Sequence, residues 1–177
     1  MEIERKFTIK ELPADLSRYT CKELEQGYLC SNPVVRVRKS VKKGEASYIL
    51  CYKSKLGLEK KADATAQVCR EEEMPLTKEA YETLLSKVDG RVITKKRYLI
   101  PYESYTIELD VFAGELTGLV FAEVEFPDET SAAEFVAPAW FVEDVTFDDR
   151  FKNGRLAKWK EAPEELRKAG LMLLEVN

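Results

Sequence analysis

Like charges recur two residues apart along this chain: Glu2 and Glu4, Arg36 and Arg38, Glu71 and Glu73, Lys95 and Arg97, Glu108 and Asp110, Glu123 and Glu125. Successive side chains of an extended strand leave opposite faces, so each doublet sits on one face. Lys6 shares the face of Glu2 and Glu4, and Lys53 faces away from Leu50 and Tyr52. The other parity is apolar, as in Val35 and Val37, Ile107 and Leu109, Val124 and Phe126. An ordinary wet face mixes Ser, Thr, Lys and Glu, because like charges on neighbouring positions repel and gain nothing. The doublets therefore imply counter-charges brought from other strands or from a ligand. The carboxylates suit hard divalent cations, Mg²⁺ or Mn²⁺ rather than zinc or copper. The cations Lys6, Arg36, Arg38, Lys53, Lys95 and Arg97 offer forked and point-charge donors for phosphate oxygens. Acids for metal beside cations for phosphate describe a site for a metal-chelated polyphosphate.

Period-two alternation predicts strands near 2–10, 23–30, 34–41, 46–54, 66–76, 92–100, 105–113 and 118–127. Antiparallel strands of that number close into a barrel just wide enough for side chains or one small ligand. The fold class expected is α+β: an eight-stranded antiparallel closed β-barrel, a tunnel with a charged interior, and helices packed on its apolar outside. Thr77 reads as the N-cap of a helix reaching about Val88, closed by Asp89 and Gly90. A second short helix is expected from Thr130 or Ser131, and a C-terminal helical segment over about 153–170, broken at Pro163. The stretch 54–66 reads as a surface loop. No repeat or linker interrupts residues 1–177, so one domain is expected.

Composition removes other chemistries. The 177 residues include no His, which excludes Ser-His-Asp and Cys-His catalysis and His-ligated zinc. The net charge of −4 argues against binding nucleic-acid backbones. Neither a basic-then-apolar leader nor a long apolar run occurs, so no membrane partner and a cytoplasmic location are expected. Cys21, Cys30, Cys51 and Cys69 lack C-x-x-C spacing and read as reduced structural thiols. No glycine-rich phosphate loop occurs. Trp159, Phe151 and Leu171 to Leu174 either pack within the monomer or join a homodimer.

The opening Glu2-Ile3-Glu4-Arg5-Lys6 resembles the E-x-E-x-K signature of the CYTH superfamily, the triphosphate tunnel metalloenzymes. Further similarity follows in order: Gln26-Gly27-Tyr28-Leu29, Val35-Arg36-Val37-Arg38, Lys95-Lys96-Arg97-Tyr98, Glu108-Leu109-Asp110, Ala122-Glu123-Val124-Glu125 and Val145-Thr146-Phe147-Asp148-Asp149-Arg150-Phe151-Lys152-Asn153. The resemblance implies a tunnel open at both ends that binds a small-molecule triphosphate with two Mg²⁺ or Mn²⁺ ions, and hydrolysis of inorganic tripolyphosphate to pyrophosphate and phosphate. Adenylyl cyclase, thiamine triphosphatase and non-catalytic polyphosphate or nucleotide binding are its alternatives. By the same resemblance Glu2, Glu4, Glu123 and Glu125 carry the metals, with Glu71, Glu73, Glu108 and Asp110 as additional acids. Lys6, Arg36, Arg38, Lys53 and Arg150 hold phosphate oxygens, and Lys95 and Arg97 bind substrate and orient or activate the attacking water. Asp148 either touches a metal or anchors Arg150. Relatives often carry Arg two residues before the Glu-x-Glu of the fifth strand, where this chain has Cys69, so one phosphate contact is expected to be missing.

Overall fold

The computed structural model describes residues 1–58 and 61–158. The described residues form nine strands, the first eight following the alternation: β1 (Glu2–Ile9), β2 (Thr20–Ser31), β3 (Val34–Lys42), β4 (Glu45–Ser54), β5 (Gln67–Pro75), β6 (Ile93–Tyr102), β7 (Tyr105–Phe112), β8 (Val120–Glu125) and β9 (Phe141–Asp144). Eight of them form a closed antiparallel ring in the order β1-β5-β4-β3-β2-β6-β7-β8, because β1 pairs with both β5 and β8. Closure leaves those strands without a free edge. The ninth, which the alternation did not predict, is only four residues long and adds beside the end of β1, at Phe7 and Ile9. Arg5 holds it there. Its guanidinium donates to Asp144 at 3.0 and 2.7 Å and to the Ala132 carbonyl at 2.8 Å.

The apolar parity faces outward, as expected, beneath helical cover. Ile107, Leu109, Ala122 and Val124 are fully buried on that side, and Phe7 packs against Phe135 and Phe141, with ring centroids 5.9 and 4.7 Å apart. Helix α1 (Lys78–Leu85) begins at Thr77, whose hydroxyl accepts from the Ala80 amide at 3.2 Å. Its far end rests on β2 at Gly27, where an added Cβ would meet Val88 Cγ1 at 2.5 Å. Helix α2 (Glu129–Glu134) begins one residue earlier than predicted, since Asp128 supplies the cap by accepting from the Ser131 amide at 2.7 Å. Helix α3 (Asn153–Leu156) is a single turn. The rest of the predicted C-terminal helix lies outside the described residues, as do Trp159 and Leu171 to Leu174.

Toward one end of the barrel the character of the interior lining changes. There the inward parity changes from charged to apolar: Ile93 two residues before Lys95, Phe112 two after Asp110, Phe121 two before Glu123. These three, with Phe151, Leu116, Leu119 and Leu156, belong to a second buried cluster, an apolar floor beyond the charged layer. Burial of Phe151 in that floor also removes it from the surface offered for a homodimer. Among the described residues no helix is long and apolar enough to cross a membrane.

Candidate active site: a charged chamber in the barrel

The inward parity of the ring encloses a cavity of about 370 Å³. Its wall brings together Glu2, Glu4, Lys6, Arg36, Arg38 and Lys53, with Glu71, Glu73, Arg97, Glu108, Glu123, Glu125 and Asp148. Three predicted residues stand apart. Lys95 and Asp110 are sealed in the layer beneath, with side chains 1% and 0% exposed. Arg150 lies at the edge, clasped by Asp148, which accepts from the Arg150 backbone at 2.9 Å and from its guanidinium at 2.5 to 3.0 Å.

Strand register explains the electrostatics. Glu108 lies opposite Glu123 between β7 and β8, and Glu4 lies opposite Glu125 between β1 and β8. Like charges directly opposite repel unless a cation stands between them. For the first pair the chain supplies that cation. Arg97 bonds to Glu108, to Glu123 at 2.5 Å and to both oxygens of Asp110 at 2.7 Å. Lys6 adds a bond to Glu123 at 2.9 Å, and Lys95 one to Asp110. Burial pushes the Glu123 carboxyl up, but Lys6, Arg97 and Lys95 together hold it well below the usual carboxylate range. Burial opposes the charge on Arg97 too, and its carboxylates outweigh that, keeping the guanidinium firmly protonated. On Lys95 burial wins over Asp110 and pulls the ammonium down to about 8.

For the second pair the chain supplies nothing comparable. Among the described residues no Lys or Arg pairs with Glu4 or Glu125, and Glu4 meets only the Gln67 amide at 3.5 Å. Burial, Glu108 and Glu4 push the Glu125 carboxyl up. The adjacent Glu2 is raised to about 8 by burial and by Glu4, although it accepts from Lys53 at 2.5 Å. Carboxylates with too few cations are oxygen donors of the kind a hard divalent ion takes, although Glu2, Glu4 and Glu125 do not all bring donor atoms within 4.8 Å of one another. A second group, Cys51, Glu71 and Glu73, brings donor atoms within 4.8 Å of one another. It fits such an ion less well. Its acids already pair with Lys53 at 3.5 Å, Arg36 at 3.6 Å and Arg38 at 2.9 Å, and a thiol is a soft ligand.

Across the chamber, β3 presents Arg36 and Arg38. Arg36 is 8% exposed, and its Nε has no hydrogen-bond partner. Cys69 is buried opposite Glu2 in the register and brings no cation to the chamber. The alternation did not single out several lining residues. Lys22 and Gln26 belong to the inward parity of β2, opposite Arg97 and Arg38; they carry no same-sign doublet, so only the registers of β3 and β6 point to them. Gln67, Thr146, Lys152 and Asn153 also line the wall. The last three sit on the segment after β9, which folds back so that the Phe151 carbonyl accepts from Lys6 Nζ at 3.0 Å. Beyond Glu108 and Glu125 a further cavity of about 550 Å³ opens, bounded by Thr106, Pro127 and Ser131.

No protein-family model matches the chain. It is 35% identical over 158 residues to the inorganic triphosphatase of Nitrosomonas europaea, covering 88% of this chain and 96% of the relative. To the inorganic triphosphatase of Acetivibrio thermocellus it is 35% identical over 161 residues, 89% of this chain and 93% of the relative. The crystal structure of the inorganic triphosphatase NE1496 superposes with a TM-score of 0.63 at 32% identity, covering 92% of this chain and 97% of that one. With the closed ring, its inward charges and near full-length relatives agreeing, the chain belongs to the inorganic triphosphatases of the CYTH, or triphosphate tunnel, superfamily.

Proposed function

We propose that the chamber binds inorganic tripolyphosphate with divalent metal and hydrolyses it to pyrophosphate and phosphate. The observation that carries this reading is the opposition across one cavity of unneutralised acids, Glu4 and Glu125, and a guanidinium with an unpartnered donor, Arg36. The two relatives named inorganic triphosphatase support the choice of substrate. Glu4 and Glu125, with Glu2 beside them, would hold Mg²⁺ or Mn²⁺, two ions in the fullest case. Bound there, such ions supply charge neutralisation at phosphate oxygens and acidify a water.

The chain's own residues do the rest by positioning and electrostatics, which together dominate catalysis of phosphoryl transfer. Arg36 and Arg38 fork onto non-bridging oxygens, and Lys6 and Lys53 neutralise the leaving pyrophosphate. Each of these cations already touches a carboxylate, so substrate exchanges one anionic partner for another rather than meeting a bare charge. Water attacks a terminal phosphorus in line, with no covalent intermediate. Lys95 does not reach the cavity, so it acts through Asp110, fixing the carboxylate that orients Arg97. Arg97, bound to three acids, holds the wall rigid where the water must sit. Arg150 stands at the edge with Asp148, placed to meet an arriving phosphate. Residues 1–177 act together as one domain.

The test is phosphate release from tripolyphosphate, ATP and thiamine triphosphate with Mg²⁺ or Mn²⁺, with cyclic AMP measured in parallel. Release from tripolyphosphate far above the others is expected. Cyclic AMP from ATP, or binding without turnover, would replace this reading by the cyclase or the sensor.

A further inference from the structure

Three buried polar atoms without a hydrogen-bond partner among the described residues belong to residues near Tyr28 in sequence or register or next to Gly154, which packs on it: Ser31 Oγ, Arg36 Nε and Asn153 Oδ1. Arg36 is the cross-strand neighbour of Tyr28. On the other side, a Cβ added to Gly154 would lie 3.6 Å from the Tyr28 ring and 3.8 Å from Ser31 Oγ. Buried polar groups are nearly always bonded, and three orphans in one corner mark a place that a polar ligand completes. Among the described residues Asn153 makes no side-chain hydrogen bond through its amide nitrogen either, and it lines the cavity. Its amide therefore offers both a donor and an acceptor to whatever enters. The segment is not adventitiously placed, because Lys6 holds the Phe151 carbonyl two residues earlier at 3.0 Å.

Resting on the triphosphatase reading, we propose that Asn153, across Tyr28 from Arg36, binds the terminal, unesterified phosphoryl group of the substrate. A terminal phosphoryl has three non-bridging oxygens and carries a proton part of the time near neutral pH, so it both accepts and donates. An internal phosphoryl only accepts. Phe112 and Phe121, on the inward parity beyond Asp110 and Glu123, are buried in the same apolar cluster as Tyr28. The corner thus takes an end, and it sets the register in which the next phosphorus meets the acids above.

The test compares the full-length protein with its Asn153→Ala and Asn153→Asp variants in steady-state hydrolysis of tripolyphosphate with Mg²⁺, alongside the melting temperature of the metal-free proteins. Loss of a hydrogen bond to a charged group predicts a KM raised about tenfold or more in Asn153→Ala, with kcat changed less. The melting temperature should stay put, since the amide makes no hydrogen bond among the described residues. Asn153→Asp should bind more weakly still, its charge repelling phosphate. Should the alanine variant melt much lower, Asn153→Ser, which keeps a donor, carries the comparison: partial recovery of KM supports the assignment. An unchanged KM in an active, folded Asn153→Ala overturns it while leaving the triphosphatase reading intact. Absence of tripolyphosphate turnover in the parent protein overturns both.

Discussion

Replacing Arg97 with methionine removes the one cation that joins Glu108, Asp110 and Glu123. Asp110 retains Lys95 and Glu123 retains Lys6, but Glu108 loses its ion pair. Breaking a buried pair from one side costs about 3–5 kcal/mol, because the surviving charge is left uncompensated. For a chain of this size that lowers the melting temperature by about 6–20 °C. The pH dependence provides a second observable. Freed carboxylates in the barrel take folded pKa values above their unfolded ones, so the variant's native state binds more protons than its unfolded state at neutral pH. Its stability therefore rises as pH falls, and the gap to the parent protein narrows between about pH 8 and pH 5. In the parent, Glu123 contributes the opposite slope only at lower pH, since its folded value is depressed and its stabilisation is lost only on strong acidification. Calorimetry of the metal-free proteins across that range reads both quantities. A melting temperature within about 3 °C of the parent, or a gap indifferent to pH, would refute the idea that Arg97 neutralises this wall.

Three other outcomes follow from the same geometry. Glu4→Gln and Glu125→Gln should each reduce Mg²⁺-dependent phosphate release by about a hundredfold or more while leaving the melting temperature nearly unchanged, because neither acid pairs with a Lys or Arg among the described residues; full activity in both would misplace the metal. Glu2, raised from 4.5 to about 8, is protonated in the folded protein and ionised in the unfolded one between those values, so metal-free stability should fall as pH rises through that window. Glu2→Gln should flatten this slope in a pH series of melting curves, and an unaltered slope would mean another group carries it. Gly27→Ala forces a methyl onto Val88, 2.5 Å away, and should cost about 1–3 kcal/mol through the α1 contact while sparing catalysis; activity lost in step with stability would tie α1 to the site.

Much of the barrel was legible because an inverted sheet leaves a strong signature. Alternation at Glu2-Ile3-Glu4 and Ala122-Glu123-Val124-Glu125 gave both the strands and the face that turns inward. The floor was not legible, since Phe112 and Phe121 continue the inward parity but read as ordinary core. Only the register, with Phe112 opposite Lys95 and Phe121 opposite Asp110, places them inside. Lys22 and Gln26 escaped notice for a related reason: a single charge or amide on an alternating strand looks like a wet face. The depth of Lys95 was hidden as well. Its spacing to Arg97 fixes a shared parity but not a height along the barrel, and one layer separates a side chain that lines the chamber from one sealed beneath it. Strand β9 is too short for a period, and it is held by Arg5, a residue whose charge on the apolar parity was the available hint.

The most direct test follows tripolyphosphate by phosphorus NMR in the presence of protein stripped with a chelator, before and after Mg²⁺ is returned. A metal-dependent hydrolase leaves the substrate stable at first, then releases phosphate and pyrophosphate in equal amounts once metal is added. Turnover that ignores the metal, or no turnover with metal present, would contradict it.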